Sequence, residues 1–283
     1  MNLIELERGE DIISKLPNHV LGHILSRLDT KDAVKTCVLS SRWKDLWTLI
    51  YNLHFKYLEN VKDGGSSSFE NFVDKVLSRC QSQEIQDFFI SFHFSDDTGI
   101  LSRVAPWICF AIEHKVQNME INAFYNPPDE EWLPIRLPQS ILTCKTLVML
   151  NLSSGDCDFV FDIPDSVVCF PCLKILHFEA HRSNSNLMQK FFRSCPVLEE
   201  LTIRVDIEYN ENVLTFDITV PTLKTLEIHL EPDWKGTRGS IHKFVVRARN
   251  LERLYISDDT LASFVINETP YISDASLDGC FNC

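Results

Sequence analysis

Few side chains in this 283-residue sequence have the type and spacing of a chemical site. His19 and His23 stand four apart, a helical spacing at which two imidazoles can share a metal ion. No third ligand lies near them in sequence, and a solvated helix face accounts for both. Two Cys-x-x-Cys pairs, Cys169/Cys172 and Cys280/Cys283, have the local spacing of zinc knuckles or a redox dithiol. The pairs lie 108 residues apart, far more than paired knuckles use. Small buried thiols at structural junctions suit these cysteines better. Asp129-Glu130-Glu131 follows Pro127-Pro128, and Asp258-Asp259 follows an apolar run; both read as solvated acidic turns rather than an acid/base pair. The sequence contains no Gly-rich phosphate loop, Gly-x-Ser-x-Gly or His-Glu-x-x-His motif. The expectation is a chain without catalytic residues, bound metal or cofactor, and not an enzyme.

Function must then lie in surfaces, and two patterns show what would build them. The first is near the N-terminus. Pro17, Val20, Leu21, Ile24, Leu25 and Leu28 recur at helical spacing and form one apolar stripe. Pro17 suits the first position of that helix, where its missing N–H is no loss. A second short helix, about 31–38, carries Ala33, Val34, Cys37 and Val38. A third, from about Ser41, carries Trp43, Leu46, Trp47 and Ile50. Seventeen of the 36 residues from Leu16 to Tyr51 are apolar, more than three short helices can bury against one another. The surplus marks either a protein interface or a cap on a larger domain.

The second pattern is a repeat, Leu-x-x-Leu-x-Leu. It begins at Leu147, Leu173, Leu198, Leu223 and Leu251, with weaker copies at Ile85, Val116 and Ile272. Periods of roughly 20–31 residues are those of leucine-rich repeats. The fourth and sixth positions lie two apart, so a strand points both into one core, and stacked strands form a parallel ladder. Residues flanking those positions point outward: Met149, Asn151 and Ser153; Ile175, His177 and Glu179; Glu200, Thr202 and Arg204; Thr225, Glu227 and His229; Arg253, Tyr255 and Ser257. This set is polar and of mixed sign, which suits a protein ligand. Between the two patterns, Asn52–Phe55 reads as extended and Lys62–Ser68 as a loop. Ser67 and Glu70 have capping-box spacing before a helix ending near Arg79. A further helix, about 104–115, places Pro106 in its first turn. Leu187, Met188, Phe191 and Phe192 mark another, and 158–163 looks extended and irregular.

A net charge of −13 argues against nucleic acid, whose phosphates need clustered Lys and Arg, and against an anionic membrane surface. No run approaches a membrane span, and Met1–Glu10 lacks the apolar run of a secretory signal. Ten cysteines without such a signal are expected as reduced thiols, in the cytoplasm, the nucleus or both.

Asp11 to Tyr51 resembles a plant-type F-box. The resemblance is carried by Leu16-Pro17, Val20, Ile24-Leu25-Ser26, Leu28, Thr30-Lys31-Asp32-Ala33, Val38-Leu39-Ser40 and Arg42-Trp43-Lys44-Asp45-Leu46-Trp47. Asp29 stands where the family usually has Pro, Cys37 where it often has Ser, and Gly22 costs up to about 1 kcal/mol in mid-helix relative to Ala. Thr143–Leu147, Phe170–Leu173 and Ser194–Leu201 look like repeat junctions of plant F-box/LRR proteins, so nearly the whole chain matches. The resemblance implies an α/β chain: an N-terminal tail (1–10), a three-helix F-box (11–51), a connecting segment (52–84) and a leucine-rich-repeat solenoid with a parallel β ladder (85–283). Many relatives carry a further C-terminal domain that this sequence does not show. The implied function is substrate recognition in an SCF-type ubiquitin ligase. Leu16, Pro17, Val20, Ile24, Leu25, Leu28, Val38, Trp43, Leu46 and Trp47 would dock on a Skp-type adaptor and, through it, cullin. Ile175, His177, Glu179, Glu200, Thr202, Arg204, Glu227, His229, Arg253 and Tyr255 would contact a protein substrate. A non-ligase interaction scaffold and a small-molecule-dependent receptor share this architecture.

Overall fold

The computed structural model describes residues 13–57, 65–94, 99–125, 134–155, 157–160, 162–163, 169–180, 190–207, 215–232, 243–260, 262–267 and 269–279. Two short helices, α1 (Asn18–Leu25) and α2 (Thr30–Lys35), are followed by 3-10 turns over Thr36–Val38 and Trp43–Leu49. Strand β1 (Asn52–Lys56) comes next, then helix α3 (Gly65–Leu77), strand β2 (Asp87–Phe94), helix α4 (Gly99–Glu113) and strand β3 (Asn118–Tyr125). The remainder is built of strands: β4 (Ile135–Arg136), β5 (Met149–Gly155), β6 (Phe159–Val160), β7 (Ile175–Ala180), β8 (Glu200–Ile207), β9 (Thr215–Thr219), β10 (Thr225–Pro232), β11 (Lys243–Arg247), β12 (Arg253–Asp258), β13 (Ser263–Asn267) and β14 (Asp274–Asp278).

Nine of these strands form one sheet in the order β1-β2-β3-β5-β7-β8-β10-β12-β14. All its pairings are parallel, and the register matches the repeat. Leu53, Phe88, Met119, Leu150, Leu176, Leu201, Leu226, Leu254 and Ala275 stand in one row. Phe55, Ile90, Ile121, Leu152, Phe178, Ile203, Ile228, Ile256 and Leu277 stand in the next. Every rung but the last buries both members. Such burial stabilises by about 1.5–3 kcal/mol for each large aliphatic side chain. The first position of each unit, from Ile85 to Leu251, is also buried. Its successor binds the preceding unit: Lys174 N–H donates to Val148 O, Glu199 to Lys174, Lys224 to Glu199 and Glu252 to Lys224, each at 2.8 Å. At the far end Leu277 is 62% exposed.

The sequence reading started the ladder at Ile85; the structure starts it one unit earlier. Ile50-x-x-Leu53-x-Phe55 is a copy of the same motif, with all three side chains buried. Strand β1, which lies within the expected connecting segment 52–84, is therefore the first strand of the sheet. The return path also differs along the chain. Between the first rungs it is helical, and α3 and α4 are clamped together. Arg103 Nε lies 3.0 Å from buried Glu70, its guanidinium also bonds Asp74, and Trp107 Nε1 donates to Asp74 at 2.7 Å. Later rungs return through strands. β4 pairs with β6, and β9, β11 and β13 form a second parallel sheet. Phe216, Phe244 and Phe264 stack along that sheet at ring spacings of 4.7 and 5.3 Å. The 158–163 stretch expected to be irregular thus contributes a paired strand.

Three local expectations shift. Pro17 is the residue before α1 rather than its first turn. α3 begins at Gly65, ahead of the proposed Ser67 cap, and Glu70 is spent on Arg103. Pro106 lies in the middle of α4, where burial of Val104, Trp107, Ile108 and Ala111 outweighs the lost helix hydrogen bond. Residues 190–193 are helical and bury Phe191 and Phe192; Leu187 and Met188 lie outside the described residues. So do residues 1–12, Lys62–Gly64, Asp129–Glu131, Cys280 and Cys283.

Candidate functional site

Two surfaces stand out, and they share one core. The N-terminal helical unit packs its inward residues Leu21, Leu25, Ala33, Leu46, Trp47 and Ile50 into the core that runs on through the ladder. Polar groups stitch the junction. The Ser26 hydroxyl donates to Gly22 O at 2.9 Å and accepts the Tyr51 N–H at 3.1 Å. The Thr30 hydroxyl accepts the His54 N–H of β1 at 2.8 Å. Ser26 and Thr30 are both buried, so each bond is made where water cannot replace it. Gly22 is buried at this junction, where a Cβ would meet the Leu49 side chain at 3.5 Å, an ordinary contact distance.

Outside this filled interior, apolar side chains remain uncovered. Val38 is 82% exposed, Leu39 64%, Ile13 56%, Ile24 46% and Leu28 39%; Pro17 is also exposed, while Leu16, Val20 and Trp43 are half-buried. Three residues expected on this face are not there. Leu25, Leu46 and Trp47 are enclosed by the chain itself, Trp47 donating its ring N–H to Lys44 O at 3.0 Å. They support the surface instead of forming it. Ile13 and Leu39 belong to it and were missed as contacts. Leu39 follows Val38 at the end of the 3-10 turn, a place the stripe of the first helix does not reveal. Arg42 fixes the edge of the face by bonding Asn18 Oδ1 at 3.0 Å and the Leu16 carbonyl.

The outward face of the nine-stranded sheet is the second surface. All ten residues expected to meet a substrate lie on it, from Ile175 on β7 to Tyr255 on β12. Glu179 is its best-fixed carboxylate. It accepts from Ser153 Oγ at 2.5 Å and Ser154 N at 2.9 Å, and pairs with Arg204 at 2.9 Å. Arg204 also stands 3.8 Å from Glu231, His229 lies 3.9 Å from Glu227, and the His229 and Tyr255 rings are 5.3 Å apart. The first three rungs, whose outward residues are not among the expected set, add His54, Lys56, Asp87, Phe89, Asn118, Glu120 and Asn122. Asn118 donates to Asp87 at 2.7 Å and Asn122 to Glu120 at 3.0 Å. Two shallow concavities open here. One of about 250 Å³ lies between His54, Phe89 and Met149. One of about 280 Å³ lies between Glu120, His177 and Arg204.

No group of three or more His, Cys, Asp or Glu able to hold a metal occurs among the described residues. His23 spends Nδ1 on the Tyr51 hydroxyl at 2.8 Å. Burial pushes the Cys195 thiol far up, helped by nearby Cys169, and burial raises Cys169 against a hydrogen bond from Ser194. Both are poor nucleophiles in that state. Titratable groups off the face serve structure. Burial tends to raise the Asp217 carboxyl, but hydrogen bonds from Thr219 and Arg247 hold it below its ordinary value across β9 and β11. Hydrogen bonds from Lys224 and Lys174 hold half-buried Glu199 down in the same way.

A family model described as "F-box domain" matches residues 13–55. Another, "FBD-associated F-box protein At5g56370, LRR repeats", matches residues 104–270. Similar Arabidopsis thaliana proteins include F-box/FBD/LRR-repeat protein At5g22660, 32% identical over 97% of this chain and 58% of its own length. F-box/FBD/LRR-repeat protein At5g56420 is 30% identical over 95% of this chain and 60% of its own. F-box/LRR-repeat protein 13 is 30% identical over 96% and 57%. The chain thus spans less than two thirds of the length of these relatives. No solved structure matches it. No helix among the described residues is long and apolar enough to cross a membrane.

Proposed function

The chain belongs to the family of plant F-box proteins with leucine-rich repeats, and from that premise we propose that it is the substrate-recognition subunit of an SCF-type ubiquitin ligase. The observation that carries this reading is the row of exposed apolar side chains, Ile24, Leu28, Val38 and Leu39, on a helical unit whose interior is already full. An unsatisfied apolar face with charged surroundings is what a partner protein covers. The partner is a Skp-type adaptor, with cullin held through it. The half-buried Leu16, Val20 and Trp43 and exposed Ile13 and Pro17 complete the footprint. A target protein sits on the outward face of the ladder, in the cytoplasm or nucleus. The chain breaks and makes no bond; it raises the effective concentration of the target beside the ubiquitin-charged enzyme.

Co-expression with a plant Skp-type adaptor and sizing chromatography test the docking step. A single complex is expected, which also retains cullin on pull-down. Val38→Asp with Leu39→Asp abolishes it while leaving the unfolding temperature unchanged. Separate elution of the wild-type chain refutes the reading; adaptor retained without cullin favours a scaffold outside the ligase.

A further inference from the structure

The ladder's outward face is not balanced in charge. Rung by rung it carries eight carboxylates and three Lys or Arg among the described residues. The three cations are already engaged: Arg204 with Glu179, Arg253 with the Thr225 hydroxyl, and Lys56 over the Phe89 ring at 5.4 Å. Asp87 and Glu120, on neighbouring rungs, receive the amides of Asn118 and Asn122 and form no ion pair among the described residues, although Lys56 lines the same concavity. Apolar rings stand beside the carboxylates, with His54 edge-on to Phe89 and His93 stacked on Phe124.

Excess negative charge and aromatic faces ask for a ligand with positive charge and an alkyl or guanidinium stem. Resting on the reading above, we propose that the ladder's outward face, centred on Asp87 and Glu120, binds an extended Lys- or Arg-rich segment of the target protein. Nine strands at about 4.8 Å span roughly 38 Å, the length of some eleven extended residues. Like charge repels a polyanion or an acidic peptide from the same surface.

The test uses the full chain and three fluorescein-labelled twelve-residue peptides: alternating Lys-Ser, alternating Glu-Ser and alternating Gly-Ser. Fluorescence anisotropy at low and high salt gives their affinities. The Lys-Ser peptide is expected to bind at least tenfold more tightly than either other peptide, and less so at high salt. Asp87→Asn with Glu120→Gln weakens it at least fivefold, whereas Glu113→Gln, an exposed carboxylate on α4, changes it less than twofold. Asp87→Lys with Glu120→Lys inverts the preference toward Glu-Ser, and melting curves confirm that each variant is folded. Equal effects of the face variant and Glu113→Gln overturn the proposal, because the attraction is then that of net charge alone; so does equal binding of all three peptides. Adaptor capture by the same preparations separates the two readings. Basic-peptide binding without adaptor capture removes the ligase and leaves the basic ligand, and adaptor capture without peptide selectivity does the reverse.

Discussion

Replacing Thr30 by Val keeps the shape of the side chain but removes the hydroxyl that receives the His54 N–H, at the seam between the helical unit and the first rung. Thr30 is fully buried and the bond is 2.8 Å long. Leaving a donor unpaired in such a place costs about 1–3 kcal/mol. The His54 end of this bond is only partly buried, which favours the lower half, about 1–2 kcal/mol. For a chain of this size that corresponds to a fall of roughly 2–8 °C in unfolding temperature. Calorimetry measures the fall, and amide hydrogen exchange locates it: His54 should lose protection while the amides of β7 and β8 keep theirs. Thr30→Ser, which retains the hydroxyl, keeps the His54 amide protected. If Thr30→Val melts with the wild type and His54 stays protected, the hydroxyl does not hold the two parts together and the account of the seam is wrong.

Other substitutions read out other layers of the fold. Gly22→Ala should stabilise by about 0.5–1 kcal/mol in denaturant unfolding, because the added methyl meets Leu49 at an ordinary contact distance and the helix gains propensity. Leu201→Ala should cost about 2–5 kcal/mol, whereas Leu277→Ala, at the sixth motif position of the exposed last rung, should cost under about 0.5 kcal/mol. The depressed Asp217 carboxyl contributes stability that is complete above its ordinary value of 3.8 and is lost as pH falls through the lower folded-state value. Melting curves from pH 7 to pH 2 should therefore show Asp217→Asn less stable than wild type at neutrality, with the gap closing below about pH 4. Alkylation of the native protein followed by mass spectrometry should leave Cys195 unmodified, and labelling there before the half-buried Cys37, Cys109 and Cys172 would contradict its burial.

The ladder was legible because its signal is local and repeated: buried positions two apart, preceded by a third at fixed distance, in unit after unit. The first rung escaped because Ile50 had been assigned to the helical unit, although Ile50-x-x-Leu53-x-Phe55 carries the same pattern. The second sheet escaped for a different reason. Its strands, such as Thr215–Thr219 and Lys243–Arg247, are five residues long and pair across 28 residues of sequence, so no single stretch declares them. The shared Phe at their second position, Phe216, Phe244 and Phe264, was the available clue. On the helical unit, periodicity identified the apolar residues but not which neighbour covers them. Leu25, Leu46 and Trp47 turned inward and Ile24, Leu28 and Val38 outward, a division made by the packing of α1 on the Trp43–Leu49 turn rather than by residue type. Pro106 in mid-helix shows tertiary burial overruling a local preference.

Ile50, Leu53 and Phe55 serve the helical unit and the solenoid at once, so the described residues place no elbow between the two. On the proposed reading, the distance and angle between adaptor and target are set by the stacking of rungs. Lengthening the arm therefore requires inserting a whole unit, which also rotates whatever lies beyond it. A chimera spliced after Tyr51 would cut through a shared beam instead of a joint.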